Sequence, residues 1–116
     1  MRFKVKCKNS SSWNFYESDQ LPDTFKSDEL PETLSLEVSE GLYDNDLIHC
    51  SDGEYLIVGH NRFGMLKDSV KTIPDEEFLA GNYENEKGFI MFLDEFLKYN
   101  DYQIVGNKFD KYQGRS

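Results

Sequence analysis

Residues 47–63, LIHCSDGEYLIVGHNRF, hold both histidines of the chain, one of its two cysteines, an aspartate and a glutamate. The stretch reads either as a metal or catalytic centre or as a piece of sheet. Asp52-Gly53 between two apolar-rich runs is a hairpin signal, because a two-residue turn of the primed type needs positive φ at both central positions. Such a turn sets Ser51 opposite Glu54, Cys50 opposite Tyr55, His49 opposite Leu56 and Ile48 opposite Ile57. Adjacent residues of a strand point to opposite faces, so His49 and Cys50 cannot reach one small ion. His60 shares the face of His49 but lies about 13 Å further along at ~3.3 Å per residue, whereas zinc ligands sit ~2.0–2.3 Å from their metal. The stretch is therefore expected to be a hairpin, with no metal bound.

Other chemical signatures fail on the same residues. DNDLIHCSDGE (44–54) begins like a calcium loop but places Ile48 and His49 where an oxygen ligand and a glycine are needed. GHNRFG (59–64) lacks the spacing of a phosphate-binding loop. No serine sits in a nucleophile elbow, and the strands bring no cysteine to a histidine. A carboxylate pair acting as acid and base, with His60 assisting, is the remaining route to a hydrolase, but no spacing selects a pair. No enzymatic activity, catalytic residue or cofactor is expected.

Working outward, RFKVKC (2–7) alternates Phe3, Val5 and Cys7 against Arg2, Lys4 and Lys6, and WNFY (13–16) completes a first hairpin. Residues 17–32 contain two prolines, six acids and no sustained period, so they read as a loop that Phe25 or Leu30 pins to the core. TLSLEVSE (33–40) alternates with Leu34, Leu36 and Val38 inward and Ser35, Glu37 and Ser39 outward. RFGMLKDSV (62–70) reads as a strand with a bulge at Gly64. PDEEFLAGN (74–82) has the Pro start, acidic first turn and Gly stop of a short helix. A longer helix is expected from an Asn85 cap to Tyr99, with Phe89, Phe92, Leu93 and Phe96 as its apolar stripe and Asp94–Lys98 as a solvent-side pair. YQIVGNKFDKY (102–112) reads as a closing hairpin around Gly106-Asn107. The fold expected is α+β: a single domain over 1–116 with a mostly antiparallel twisted sheet, or SH3-like half-barrel, and one C-terminal amphipathic helix packed on it.

A chain of 116 residues can bury roughly two-thirds of the surface its unfolded form exposes, enough for one core without a staple. The first residues carry no uninterrupted apolar run, so no secretory leader is expected, and FIMFL (89–93) is far too short to span a bilayer. Cys7 and Cys50 are expected as reduced core thiols in a bacterial cytoplasm.

The net charge is −9, which disfavours nucleic acid and anionic membrane as direct partners. Glu17 to Glu54 hold twelve of the 22 acids and one of the 13 bases, Lys26. Acids not interleaved with Lys or Arg speed association with an oppositely charged partner. Strongly positive surfaces in a cytoplasm belong to proteins that hold nucleic acid. Glu17, Asp19, Asp23, Asp28, Glu29, Glu32 and Glu37 are the candidate partner-binding residues, with Asp44 and Asp46 as a second acidic knob and Trp13, Phe15 and Tyr16 as core or aromatic anchors.

In size, acidity, Lys/Asn/Asp/Tyr-rich composition and lack of a catalytic motif, the chain resembles the small acidic inhibitors encoded by phages and mobile elements. These are the anti-CRISPR and other anti-defence proteins and the immunity proteins that neutralise nuclease toxins. The resemblance implies a non-enzymatic inhibitor that blocks the nucleic-acid surface of a basic protein by charge mimicry, and it carries over no individual residue. FKVKCKN (3–9) and DGEYLIVGHNRFGML (52–66) also resemble small SH3-like phage proteins, which implies the alternative of a module binding a peptide or small ligand. Neither implies an oligomeric state.

Overall fold

In the computed structural model, which describes residues 1–60, 67–83 and 90–114, the chain forms two antiparallel sheets. The first has the order β2-β1-β3-β4, built from β1 (Arg2–Cys7), β2 (Trp13–Glu17), β3 (Glu29–Ser39) and β4 (Leu42–Tyr43). The second contains β5 (Asp46–Cys50), β6 (Tyr55–Gly59), β7 (Ser69–Ile73), β8 (Ile90–Phe92) and β9 (Tyr102–Asn107) in the order β8-β7-β6-β5-β9. Helix α1 (Asp75–Ala80) follows β7, and α2 (Leu93–Tyr99) follows β8 directly. The mostly antiparallel α+β character read from the sequence is present.

One corner joins the sheets. Asn45, at φ 70°, turns the chain between β4 and β5. The Asp44 amide donates to Leu36 O at 2.8 Å in the first sheet, and the Asn45 amide to Val58 O at 2.8 Å in the second. Asparagine tolerates this left-handed conformation better than most residues.

Two apolar layers cover the second sheet. Leu42, Ile48, Cys50, Leu56, Val58 and Val70 pack against Leu93 and Phe96 of α2 on one face. Leu47, Ile57 and Ile73 meet Tyr55, Phe78 and Tyr83 on the other. Pro74 and Gly81, the latter at φ 80°, bracket α1 as its sequence indicates.

Several expectations are corrected. The β5–β6 register pairs His49 with Tyr55, Ile48 with Leu56 and Leu47 with Ile57, one residue away from the two-residue turn. The Cys50 amide instead bonds Glu54 O, and the Gly53 amide, at φ 98°, bonds Cys50 O. This leaves a three-residue loop of the kind that needs a left-handed residue, here Gly53, at its end. Residues of β3 are also inverted: Thr33 and Ser35 are fully buried while Leu34, Leu36 and Val38 are half-buried. β1, at the inside of this sheet, is buried at every position from Phe3 to Cys7, so alternation does not separate core from solvent here.

The helix expected over 85–99 is shorter. Its Asn85 cap and Phe89 lie outside the described residues, 90–92 are strand, and Phe92 is 41% exposed. Asp94 meets Lys67 at 3.3 Å, across from its own helix. The closing hairpin is absent too. Gly106 and Asn107 continue β9 alongside Leu47 and Asp46, because Asn107 Nδ2 is committed to Asp46 Oδ1 at 2.9 Å and to Asp44 O at 3.3 Å. Gly64, and most of the strand expected around it, lies outside the described residues.

Lys4 and Lys6, expected on the outer face of β1, are buried. Lys4 Nζ donates to Asp46 Oδ1 at 3.1 Å and sits 4.6 Å and 4.8 Å from the ring centroids of Trp13 and Tyr43. Asp46 Oδ2 also accepts the Tyr43 amide at 2.8 Å. Stranding one charge of such a pair costs about 3–5 kcal/mol. Asp46→Ala is expected to lower the unfolding free energy by that amount in chemical denaturation. Phe96→Ala should cost about 3–5 kcal/mol, as an enclosed aromatic does, and Phe92→Ala less than about 1 kcal/mol.

Candidate functional site

The nine acids singled out from the sequence divide by position. Glu17, Asp19, Asp23, Asp28 and Glu32 are exposed. Glu17 lies 3.7 Å from Arg2 Nε, and Glu32 Oε1 accepts the Tyr112 hydroxyl at 2.9 Å. Among the described residues no cation lies within 4 Å of the carboxylates of Asp19, Asp23 or Asp28. Glu37 is half-buried and accepts the Gly41 amide at 3.1 Å.

The remaining three do not face solvent. Asp44 accepts the His60 amide at 3.0 Å, and Asp46 is 1% exposed within the Lys4 network. The expected second acidic knob is thus part of the corner that joins the sheets, where carboxylates satisfy backbone and ammonium donors. Glu29 is the third, buried where the acidic loop re-enters the sheet.

That loop, residues 18–28, lies between β2 and β3, the strands that flank β1. Leu30 is buried and Phe25 half-buried, so both expected anchors reach inward. The Lys8 amide bonds Asp28 O, and the Glu29 amide bonds Lys26 O at 3.0 Å. Glu29 Oε1 accepts the Lys26 amide at 2.8 Å. Its Oε2 accepts Asn14 Nδ2 at 2.8 Å and the Tyr16 hydroxyl. Burial pushes the Glu29 carboxyl up, but the hydrogen bonds from Tyr16, Asn14 and Lys26 outweigh it and hold the group below its usual value. Hydrogen bonding to that carboxylate, and then burial, raise Tyr16. An acid read as part of the contact surface is instead the clasp that shapes the loop. The sequence carries no signal for this, since Asn14, Tyr16 and Glu29 converge only through strand pairing.

The described residues of the 47–63 stretch form no common site. His49 stacks on Tyr55 with ring centroids 4.5 Å apart, and Tyr55 stacks on Phe78 at 3.9 Å. His60 Nδ1 lies 2.7 Å from Asp68 Oδ1 beside a cleft that Val38, Ser39, Leu93 and Leu97 help to line. Cys7 and Cys50 are buried and unbonded to each other. Burial, then Asp52 and Glu54, push the Cys50 thiol up to about 11, which leaves little thiolate at neutral pH. Among the described residues no three His, Cys, Asp or Glu side chains are placed to hold a metal, and no helix is long and apolar enough to cross a membrane.

No protein-family model, curated protein or solved structure matches the chain.

A carboxyl with a lowered folded-state pKa stabilises the protein above its unfolded pKa, and that contribution is lost as pH falls through the folded value. The gap in unfolding free energy between the wild type and Glu29→Gln should be full at neutral pH and narrow below the usual value of 4.5. A pH series of denaturant titrations measures it. A gap independent of pH would mean that folding leaves the Glu29 pKa unshifted, and a gap that grew towards acid pH would mean that folding raises it.

Proposed function

We propose that the protein is a non-enzymatic inhibitor that binds a basic, nucleic-acid-binding protein and occupies its nucleic-acid surface by charge mimicry. The target class is a CRISPR nuclease, another phage-defence nuclease or a nuclease toxin. The reading is carried by one observation: Asp19, Asp23 and Asp28 stand exposed, with no neutralising cation among the described residues, on a loop clasped at its base by Glu29. A fixed array of carboxylates matches the lysines and arginines that line a groove for phosphates. Because the loop is clasped, less ordering entropy is lost on binding than for a free acidic tail. Glu17 and Glu32 extend the array on either side, each with one intramolecular partner to release. Phe15, 65% exposed on β2 and edge-on to Tyr43 at 5.9 Å, supplies an aromatic contact of the kind interfaces favour.

A second reading, an SH3-like half-barrel that holds a peptide or small ligand, is favoured by the cleft of about 620 Å³ between Val38, His60 and α2. Its size suits a small ligand. Trp13 and Tyr43, which such a reading would also enlist, are committed to Lys4.

Changing Asp19, Asp23 and Asp28 together to Lys should abolish capture of the basic partner from bacterial lysate and leave the thermal midpoint nearly unchanged, because these side chains support no packing. In the wild type, capture at ~0.1 M salt should weaken at ~0.5 M, where screening shortens to a few Å. Capture that survives the triple reversal would refute the acidic loop as the interface.

A further inference from the structure

A cavity of about 270 Å³ lies beneath the acidic loop, against the face of β1 that carries Phe3 and Val5. Phe3, Val5, Pro22 and Phe25 give it apolar walls, Tyr16 and Glu29 give it one polar end, and the exposed Thr24 and Lys26 also border it. Its volume is near the lower end of ligand pockets, about 300–1,000 Å³, so it suits a short chain better than a drug-sized molecule.

The polar end has an unusual charge balance. Glu29 is 6% exposed, and its three hydrogen-bond donors, the Asn14 amide group, the Tyr16 hydroxyl and the Lys26 backbone amide, are all neutral. Among the described residues no Lys, Arg or His side-chain nitrogen lies within 4 Å of it. Buried charges are ordinarily paired. Among the described residues this one is hydrogen-bonded but not neutralised, and of the about four acceptor positions an ionised carboxylate offers its donors fill three. The Lys26 ammonium adds only the weakest of the pulls on Glu29.

A largely apolar cavity with a carboxylate at its polar end and an acceptor position to spare is complementary to an ammonium on a hydrocarbon stem. We propose that the cavity is an alkylammonium site, with the stem against Phe3, Val5 and Phe25 and the ammonium on Glu29, and that its occupant is a lysine side chain of the basic partner. The choice of a protein lysine rests on the function proposed above, whereas the alkylammonium chemistry does not. Asp23 adjoins two lining residues, Pro22 and Thr24, and Asp28 precedes Glu29, so the acidic loop would steer a cation towards the opening.

The test is a titration of the isolated protein with N-acetyl-lysine methylamide, read from the aromatic resonances of Phe3, Tyr16 and Phe25. Saturable binding is expected. The uncharged norleucine analogue should bind about tenfold more weakly or worse, the worth of one charge-assisted hydrogen bond. Glu29→Gln should cause the same loss, and Thr24→Trp, which fills the cavity from an exposed position and leaves the clasp intact, should abolish binding. Lys26→Ala should tighten it by removing a like charge. Equal binding of norleucine, indifference to Thr24→Trp, weakening by Lys26→Ala or no saturable binding would each overturn the site.

Capture of the partner then separates the two sources of amine. If Thr24→Trp weakens capture while the loop acids are untouched, a protein lysine is the occupant. If it removes probe binding but leaves capture intact, the protein-lysine assignment falls and a free amine takes its place. Failure of the triple loop reversal to reduce capture would sink the charge-mimic reading alone, because the titration needs no partner.

Discussion

The Lys4–Asp46 pair is the constraint on which the two-sheet arrangement depends. Lys4 belongs to an inner strand of the first sheet, β1, and Asp46 begins an inner strand of the second, β5. An ammonium and a carboxylate so enclosed are costly to desolvate, and the cost is offset only when geometry and extra hydrogen bonds are good. Both conditions are met here. Aromatic faces of Trp13 and Tyr43 flank the ammonium, and the Tyr43 amide and Asn107 amide group bond the carboxylate. Apolar contact tolerates sliding of one sheet over the other, whereas this network has a single solution. It fixes the corner at Asp44–Asn45, and with it the positions of Asp44, His60 and Asn107.

The same network explains how the sequence misleads. Charged residues alternating with Phe3, Val5 and Cys7 ordinarily mark a solvent face, and Asp44 and Asp46 ordinarily mark a surface knob. Here opposite charges far apart in sequence cancel inside, a fact that neither segment announces alone. The hairpin at 47–59 was legible because Asp52-Gly53 and two apolar runs are local signals. Its register was not, since two- and three-residue loops both accept Gly at that place and differ by one pairing step. Thr33 and Ser35 are buried for a non-local reason as well: Thr33 Oγ1 accepts the Lys6 amide at 2.8 Å and donates to Leu30 O, so its polarity is satisfied indoors. The antiparallel α+β class and α1 came from periodicity and punctuation. The length of α2 did not, because its apolar stripe runs continuously into β8.

Charge counted along the chain is therefore a poor guide to charge presented to a partner. Three of the nine carboxylates chosen from the sequence act within the protein, two at the sheet corner and one as the loop clasp. Removing them from the tally sharpens the remaining surface. What is left is half-buried Glu37 and five exposed carboxylates, three of them on one loop whose shape is set by an acid that does not itself face solvent and two, Glu17 and Glu32, on the strands at its ends.

Lys6 has a consequence for how the protein is made. Its ammonium, 1% exposed, donates to Ser10 O and, across 106 residues, to Tyr112 O, each at 2.6 Å. Trp13 Nε1 likewise waits for Asp110 Oδ1 at 3.1 Å. At about 5–20 residues per second, synthesis separates Lys6 from Tyr112 by roughly 5–20 seconds. Throughout that interval a lysine destined for burial has half its acceptors unmade, and one face of the first sheet stays open. Strand β1 is therefore completed only after the segment around Tyr112 has been made, although it is synthesised before every other strand of its sheet.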